Sequence, residues 1–268
     1  LFMGDNGENG ASVEAIFPIL QDGLKTTSYG TTLYLMAGSN DNSEHIKSAT
    51  VKGNNTTGGW AGNRMRPDLV LKFFPNNDAP NVAAYAMPAA ADDDRALFDG
   101  EGRNVSNGDD EKSVKVFTNG FSVCKFNNFK TDGTAGHNAL FPDADFFLMR
   151  AAEAYLMYAE ADARQNNGTT TAQGTAYINA LRTRANATTQ TAYSLRQICD
   201  EWSREFYFEG LRRTTLIRFG YFGGNVNYNW SWKGGVKSGR NFDSHLNLFP
   251  IPTSDMVANS NLIQNTGY

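Results

Sequence analysis

Apolar positions repeat at helical spacing in one long part of this 268-residue chain, from Asp143 to Gly220. Leu148, Ala152, Tyr155, Leu156 and Ala159 form one apolar stripe of an amphipathic helix. Asp143 or Asp145 is placed to cap its start by accepting from a free backbone N–H. Asn166-Asn167-Gly168 ends it, because Asn and Gly tolerate the left-handed backbone after a last turn. A second helix is expected from about Thr171, with Tyr177, Ala180, Leu181 and Arg184 on one side, fraying at Ala187-Thr188-Thr189. Ser194 and Gln197 then make a capping-box pattern for a third helix, whose inner stripe is Leu195, Cys199, Trp202 and Phe206. Gly210 stops it, and Leu211 to Arg218 make a short fourth helix. Short links between helices favour antiparallel neighbours.

The flanking segments are less regular. VEAIFPI reads as a short strand, and Pro18 puts it at an edge or an irregular position. TTLYLMAG is another short apolar run, and GNNTTGGWAGNR is a loop with Trp60 at its tip. PDLVLKFF reads as a short helix with Pro67 in its first turn. Residues 75–113 are polar and acidic, with Asp92-Asp93-Asp94 and Asp109-Asp110-Glu111. VKVFTNGFSVCKF carries a hairpin signal at Asn119-Gly120. YFGGNVNYNWSWKGGVKSGRNF is a long aromatic loop without periodicity. The expected fold is mainly α. A helical-hairpin block over 143–220 sits between loop-rich segments 1–142 and 221–268, with room for one small β-hairpin.

Composition narrows the function. With 40% hydrophobic residues the chain can bury a substantial core. The net charge of −4, with Lys and Arg scattered, gives no footprint for nucleic acid. No apolar run is long enough to span a bilayer as a helix. Cys124 and Cys199 are expected as buried free thiols. His45, His137 and His245 have no second ligand at helical or hairpin spacing; Asp92–Asp94 could help hold a hard cation through its oxygens but reads first as a solvated turn capping a following helix, so no metal site is assigned. Glu201, Glu205 and Glu209 recur every four residues on one helix. Glycoside hydrolysis needs two carboxylates facing each other across a substrate, and these point the same way. Their expected role is structural: Glu201 or Glu205 would hold Arg212 beyond the Gly210 break. Arg182 and Arg184 get the same reading. There is no Gly-x-Ser-x-Gly elbow and no Gly-Lys-Ser/Thr phosphate loop. No catalytic residue and no cofactor is therefore assigned.

What remains is loop aromatics beside amides. A sugar offers apolar C–H faces to a ring and hydroxyls to Asn, Arg or Gln. Trp60 with Asn63 and Arg64 fits that chemistry, as do Tyr228, Trp230 and Trp232 beside Asn227 and Asn229. The competing reading makes these rings the cores of irregular loops. An extended run would point the rings at 228, 230 and 232 one way, which suits a stacking platform and a half-buried strand equally.

Two motifs carry a family resemblance. AEAYLMYAEADAR, followed by Asn179, Arg182, Arg184 and Ala185 and then EWSREFYFEGLRRTTLIRFG, resembles the C-terminal signature of the SusD/RagB family of bacterial outer-membrane glycan-binding lipoproteins. LFPIPTSDMVANSNLIQNTGY resembles that family's ending. The likeness runs from about GASVEAIFPI to Tyr268. One departure is Thr215, near which the family usually has an acidic residue. The resemblance implies a SusD-like C-terminal half whose usual N-terminal half of tetratricopeptide-like helices is absent from this chain. It implies non-catalytic capture of an oligo- or polysaccharide outside the outer membrane, lipid anchorage through a region absent here, and partnership with a TonB-dependent transporter. It also leaves open a peptide-capture subunit of the same kind of importer. A helical scaffold without a ligand of its own is a further alternative.

Overall fold

A computed structural model of the chain describes residues 1–27, 29, 32–105, 115–224 and 226–268. The acidic Asp109-Asp110-Glu111 lies outside the described residues. The chain divides into two compact units, Leu1–Glu209 and Gly210–Tyr268.

In the first unit, the helices are α1 (Thr32–Ala37), α2 (Pro67–Phe73), α3 (Met87–Ala91), α4 (Ala151–Gln165), α5 (Ala172–Arg184) and α6 (Leu195–Phe206). Two antiparallel strand pairs accompany them: β1 (Ala15–Ile19) with β4 (Phe146–Arg150), and β2 (Phe98–Asp99) with β3 (Ser122–Val123). The second unit holds α7 (Arg212–Arg218) and α8 (Thr253–Ala258), joined by long irregular segments. Helix thus dominates the regular structure, as the periodicity requires. Among the described residues no helix is long and apolar enough to cross a membrane.

The capping box at Ser194 forms in full. The Ser194 hydroxyl accepts from the Gln197 amide N–H, and the Gln197 side chain accepts from the Ser194 amide N–H. Pro67 opens α2 where its missing N–H costs nothing. Pro18 lies in β1 directly after two register irregularities, as expected for a strand at an edge. Cys124 and Cys199 are buried and unbridged.

Four expectations are corrected. α4 begins at Ala151 and has no side-chain cap, because Phe146–Arg150 forms β4 instead; Leu148 is therefore an exposed strand residue. Asp143 and Asp145 cap loops: Asp143 accepts from the Gly23 N–H at 2.6 Å and Asp145 from the Gln21 N–H at 2.7 Å. The expected α5 side holds only in part: Leu181 is buried and Tyr177 half-buried, but Ala180 is exposed. Ala152, Leu156, Ala159 and Ala163 are buried on α4, and Gly174, Thr175, Ile178 and Leu181 on α5. Tyr177 of α5 packs edge-on against both Tyr155 and Tyr158 of α4, so the tyrosines extend the contact between the two helices. Gly174 is required there, because any Cβ would collide with the Asp162 carboxylate. That carboxylate accepts from the Thr171 N–H at 2.7 Å and so satisfies the start of α5. The segment around Asn119-Gly120 forms no hairpin of its own: β3 pairs with the distant β2, and the Gly120 N–H goes to the Asn104 carbonyl. Asp92–Asp94 precedes no helix. Asp92 ends α3 on left-handed backbone, and Asp93 is buried against Arg95.

Candidate functional site

The end of a short helix builds the Trp60 surface. Leu33, Met36 and Ala37 turn α1 inward and leave Tyr34 outside. The last carbonyls of a helix have no partner within it. Here the following loop supplies donors. The Trp60 N–H donates to the Ala37 carbonyl at 2.7 Å, Asn63 N–H to Gly38 at 2.7 Å and Ala61 N–H to Asn40 at 3.2 Å. Gly58 and Gly59 have φ of 100° and 141°, backbone that other residues rarely adopt. Gly58 also seats the indole, since a Cβ there would lie 2.8 Å from Trp60 Nε1.

On this clasp Trp60 remains 44% exposed, and its ring centre lies 5.6 Å from that of Tyr34 at a 43° tilt. Tyr29 meets Tyr34 edge-on at 5.8 Å. Tyr34 and Tyr29 are 50% and 58% exposed. Three large rings thus share one exposed surface, and the exposed Asn63 amide lies over Gly38 at the end of the same helix. Neither Tyr29 nor Tyr34 belongs to a sequence motif; the inward set Leu33, Met36 and Ala37 is the one signal that Tyr34 faces out. Arg64 is committed elsewhere. Its guanidinium donates to the Val116 carbonyl and, at 2.7 Å, to the Asn119 carbonyl, and it lies over the Phe117 ring.

A buried polar cluster lies under the same segment. The Asn40 amide donates to the Val123 carbonyl at 2.8 Å and to Ser122 Oγ at 3.2 Å. Ser122 Oγ meets the Ser39 carbonyl and lies 3.1 Å from Glu44 Oε2. Arg103 donates to Glu44 and reaches Asp99 at 3.4 Å and Asp41 at 3.8 Å. One guanidinium serves three carboxyls. Burial accordingly pushes Glu44 up to about 7 and Asp99 up to about 6, with Arg103 opposing both shifts.

In the second unit the candidate rings are partnered. Tyr228 stacks on Tyr221 at 4.7 Å, and its hydroxyl accepts from Arg212 at 2.7 Å. Trp230 lies against Phe222 and Phe242, with the buried Lys233 Nζ 4.6 Å from its ring centre. Trp232 has φ 65°, so the run is not extended through it and the alternation at 228, 230 and 232 does not align three rings. Thr215, the departure from the family pattern, turns its hydroxyl back onto the Leu211 carbonyl at 2.9 Å.

The α6 carboxylates are sealed in an ion network. Glu201 binds Arg95, Arg182 and Arg204; Glu205 binds Arg95, Arg150 and Arg184. Glu209 pairs with Arg150 and Lys125. Burial alone would raise Glu201, but its three guanidinium neighbours hold it down at about 2. Burial is likewise overcome at Glu205, where Arg150, Arg184 and Arg95 hold the carboxyl far below the usual range. A general acid needs a raised pKa, so these groups are fitted to structure. His137 is less isolated than its spacing suggests: Asp22, His137 and Asp143 offer ligand atoms within 4.8 Å of one another. The Asp143 oxygens, however, already accept from the Gly23 and His137 N–H groups.

Comparison with known proteins fits this architecture. The chain is 39% identical to the starch-binding protein SusD of Bacteroides thetaiotaomicron over 300 aligned positions, which take in 100% of this chain and 52% of that protein. It therefore spans about half the length of this curated relative. Its fold is similar to that of a SusD-like protein from Bacteroides fragilis, with TM-score 0.59 at 18% identity, covering 100% of this chain and 56% of that one. It is similar as well to surface glycan-binding protein A from Bacteroides thetaiotaomicron in complex with laminarihexaose, with TM-score 0.55 at 21% identity over 98% of this chain and 54% of that one. The model of the SusD family (SusD_RagB) matches residues 98–268, from β2 through the sealed α6 carboxylates to the last residue, and the chain belongs to that family.

Proposed function

We propose that this chain binds a glucan without cutting it, through the ring surface of Trp60, Tyr34 and Tyr29. The observation that carries this reading is three exposed rings held together by a clasped helix end. Rings of this kind offer flat apolar faces to the C–H faces of a sugar, and the Asn63 amide is available for hydroxyls. Arg64 fixes the neighbouring turn and does not contact the ligand. Tyr228 and Trp230 shape their own unit, and Trp232 is assigned no ligand contact. The starch named for the relative at 39% identity favours an α-glucan over other polymers. By the same kinship, the complete protein works outside the outer membrane, held there by a lipid anchor, and hands its ligand to a TonB-dependent transporter. The sealing of Glu201 and Glu205 supports binding without hydrolysis, because neither carboxyl is open to a substrate.

Affinity electrophoresis through starch, with titration of maltoheptaose and laminarihexaose, tests the reading. Retardation by starch, saturable maltoheptaose binding and no new reducing ends after a day are expected. Binding of unrelated peptides with no response to any glucan would overturn it, as would hydrolysis abolished by Glu205→Gln.

A further inference from the structure

The clasp beneath Trp60 lacks a strong donor for one buried acceptor unless a buried carboxyl is protonated. A hydroxyl donates once. Ser122 Oγ faces one donor, Asn40 Nδ2, and two acceptors, the Ser39 carbonyl and Glu44 Oε2. The Asn40 amide is fixed in orientation, because its Nδ2 also donates to the Val123 carbonyl while its Oδ1 accepts from Asn54 Nδ2. With Glu44 ionised, both acceptors compete for the single Ser122 hydrogen; when it goes to Ser39, Glu44 Oε2 is left with only the weak Cys124 S–H, at 3.9 Å and shared with the Ser122 carbonyl. With a proton on Oε2, Glu44 donates to Ser122 and Ser122 donates to Ser39. Both acceptors facing the Ser122 hydroxyl are then matched. Ser39 lies between Gly38 and Asn40, whose carbonyls take the Asn63 and Ala61 N–H groups of the Trp60 loop.

We propose that Glu44 and Ser122 are positioning residues for the Trp60 surface, the proton on Glu44 completing a Glu44–Ser122–Ser39 chain that holds the clasp in its binding geometry. The groups facing Glu44 fit a carboxyl that keeps its proton. Among the described residues Arg103 is the one cation in contact, and it is shared with Asp41 and Asp99. Cys124 Sγ is 3.9 Å away. Glu101 adds negative charge beside Asp99 and is paired at 3.5 Å with His45. Burial places the Glu44 change at about pH 7. The consequence for affinity rests on the glucan reading; the hydrogen-bond chain does not.

The test is fluorine NMR of the protein labelled with 5-fluorotryptophan. The chain has 4 Trp, and Trp60→Phe assigns the resonance in question. Between pH of about 5 and about 9, the Trp60 resonance is expected to shift with a midpoint near that of Glu44. The shift should vanish in Glu44→Gln, whose amide donates to Ser122 at every pH while its oxygen still accepts from Arg103. It should also vanish in Ser122→Ala and persist in His45→Gln. Maltoheptaose affinity should fall about fivefold or more on the alkaline side in the wild type, the lower end of ordinary coupling, and stay flat in Glu44→Gln. A Trp60 resonance that ignores pH, or a titration that survives Glu44→Gln, overturns the proposal. A resonance that titrates as stated with no glucan bound at any pH supports the chain and overturns the glucan reading instead.

Discussion

Glu205→Ala destabilises the fold by about 3–5 kcal/mol, the usual cost of breaking a buried ion pair by removing one partner. Its side chain is almost wholly buried and touches three guanidinium groups. Arg150 and Arg95, both buried, are left under-compensated when it goes. Arg150 keeps Glu209 and Glu14, and Arg95 keeps Asp93 and Glu201, so the network loosens without vanishing. Urea unfolding should show a lower midpoint with an unchanged slope. A loss under about 1 kcal/mol would mean that water reaches the cluster. The same network sets the acid limit. Glu201 and Glu205 bind protons more weakly folded than unfolded, so their contribution is complete above the unfolded carboxylate range. It is lost as pH falls from about 4.5 through 2.

Trp202→Ala costs a comparable amount, about 3–5 kcal/mol, for a different reason. The indole is 3% exposed on the inner face of α6 and lies 5.3 Å from the Phe206 ring. Its loss leaves a cavity that surrounding helices close only in part. Met157→Ala, at an exposed position of α4, is the control and should cost under about 1 kcal/mol. Equal losses in the two variants would show that the inner face of the helical block is misassigned.

Features that depend on near neighbours were legible in the sequence. The α6 capping box needs only Ser194 and Gln197, and the stop after α4 needs only Asn166 to Gly168. The start of α4 was not legible, because Phe146–Met149 continues a helical stripe and a strand equally well. What decides is β1, more than a hundred positions away. The α5 face was misjudged for a related reason. An apolar criterion selects Tyr177, Ala180 and Leu181, but Ala180 is exposed while Gly174 and Thr175 are buried, and the interior nearby is charged, with Arg95, Arg150, Glu201 and Glu205 inside. Of the proposed surface, Trp60 and Asn63 stood out as aromatic and amide between glycines. Tyr34 and Tyr29 join Trp60 only through the α1 clasp. Tyr228, Trp230 and Trp232 had the right composition, but a left-handed residue at Trp232 breaks their alignment.

Isothermal titration of maltoheptaose into the wild type and Trp60→Ala, with thermal melts of both, tests the central claim most directly. One stacked ring contributes about 1–2 kcal/mol. Affinity should therefore fall about tenfold, since 1.4 kcal/mol is a factor of ten, while the melting temperature stays within about 2 °C, as for a surface change. Unchanged affinity with a lowered melting temperature would contradict the account: Trp60 would be a packing residue and the glucan would bind elsewhere.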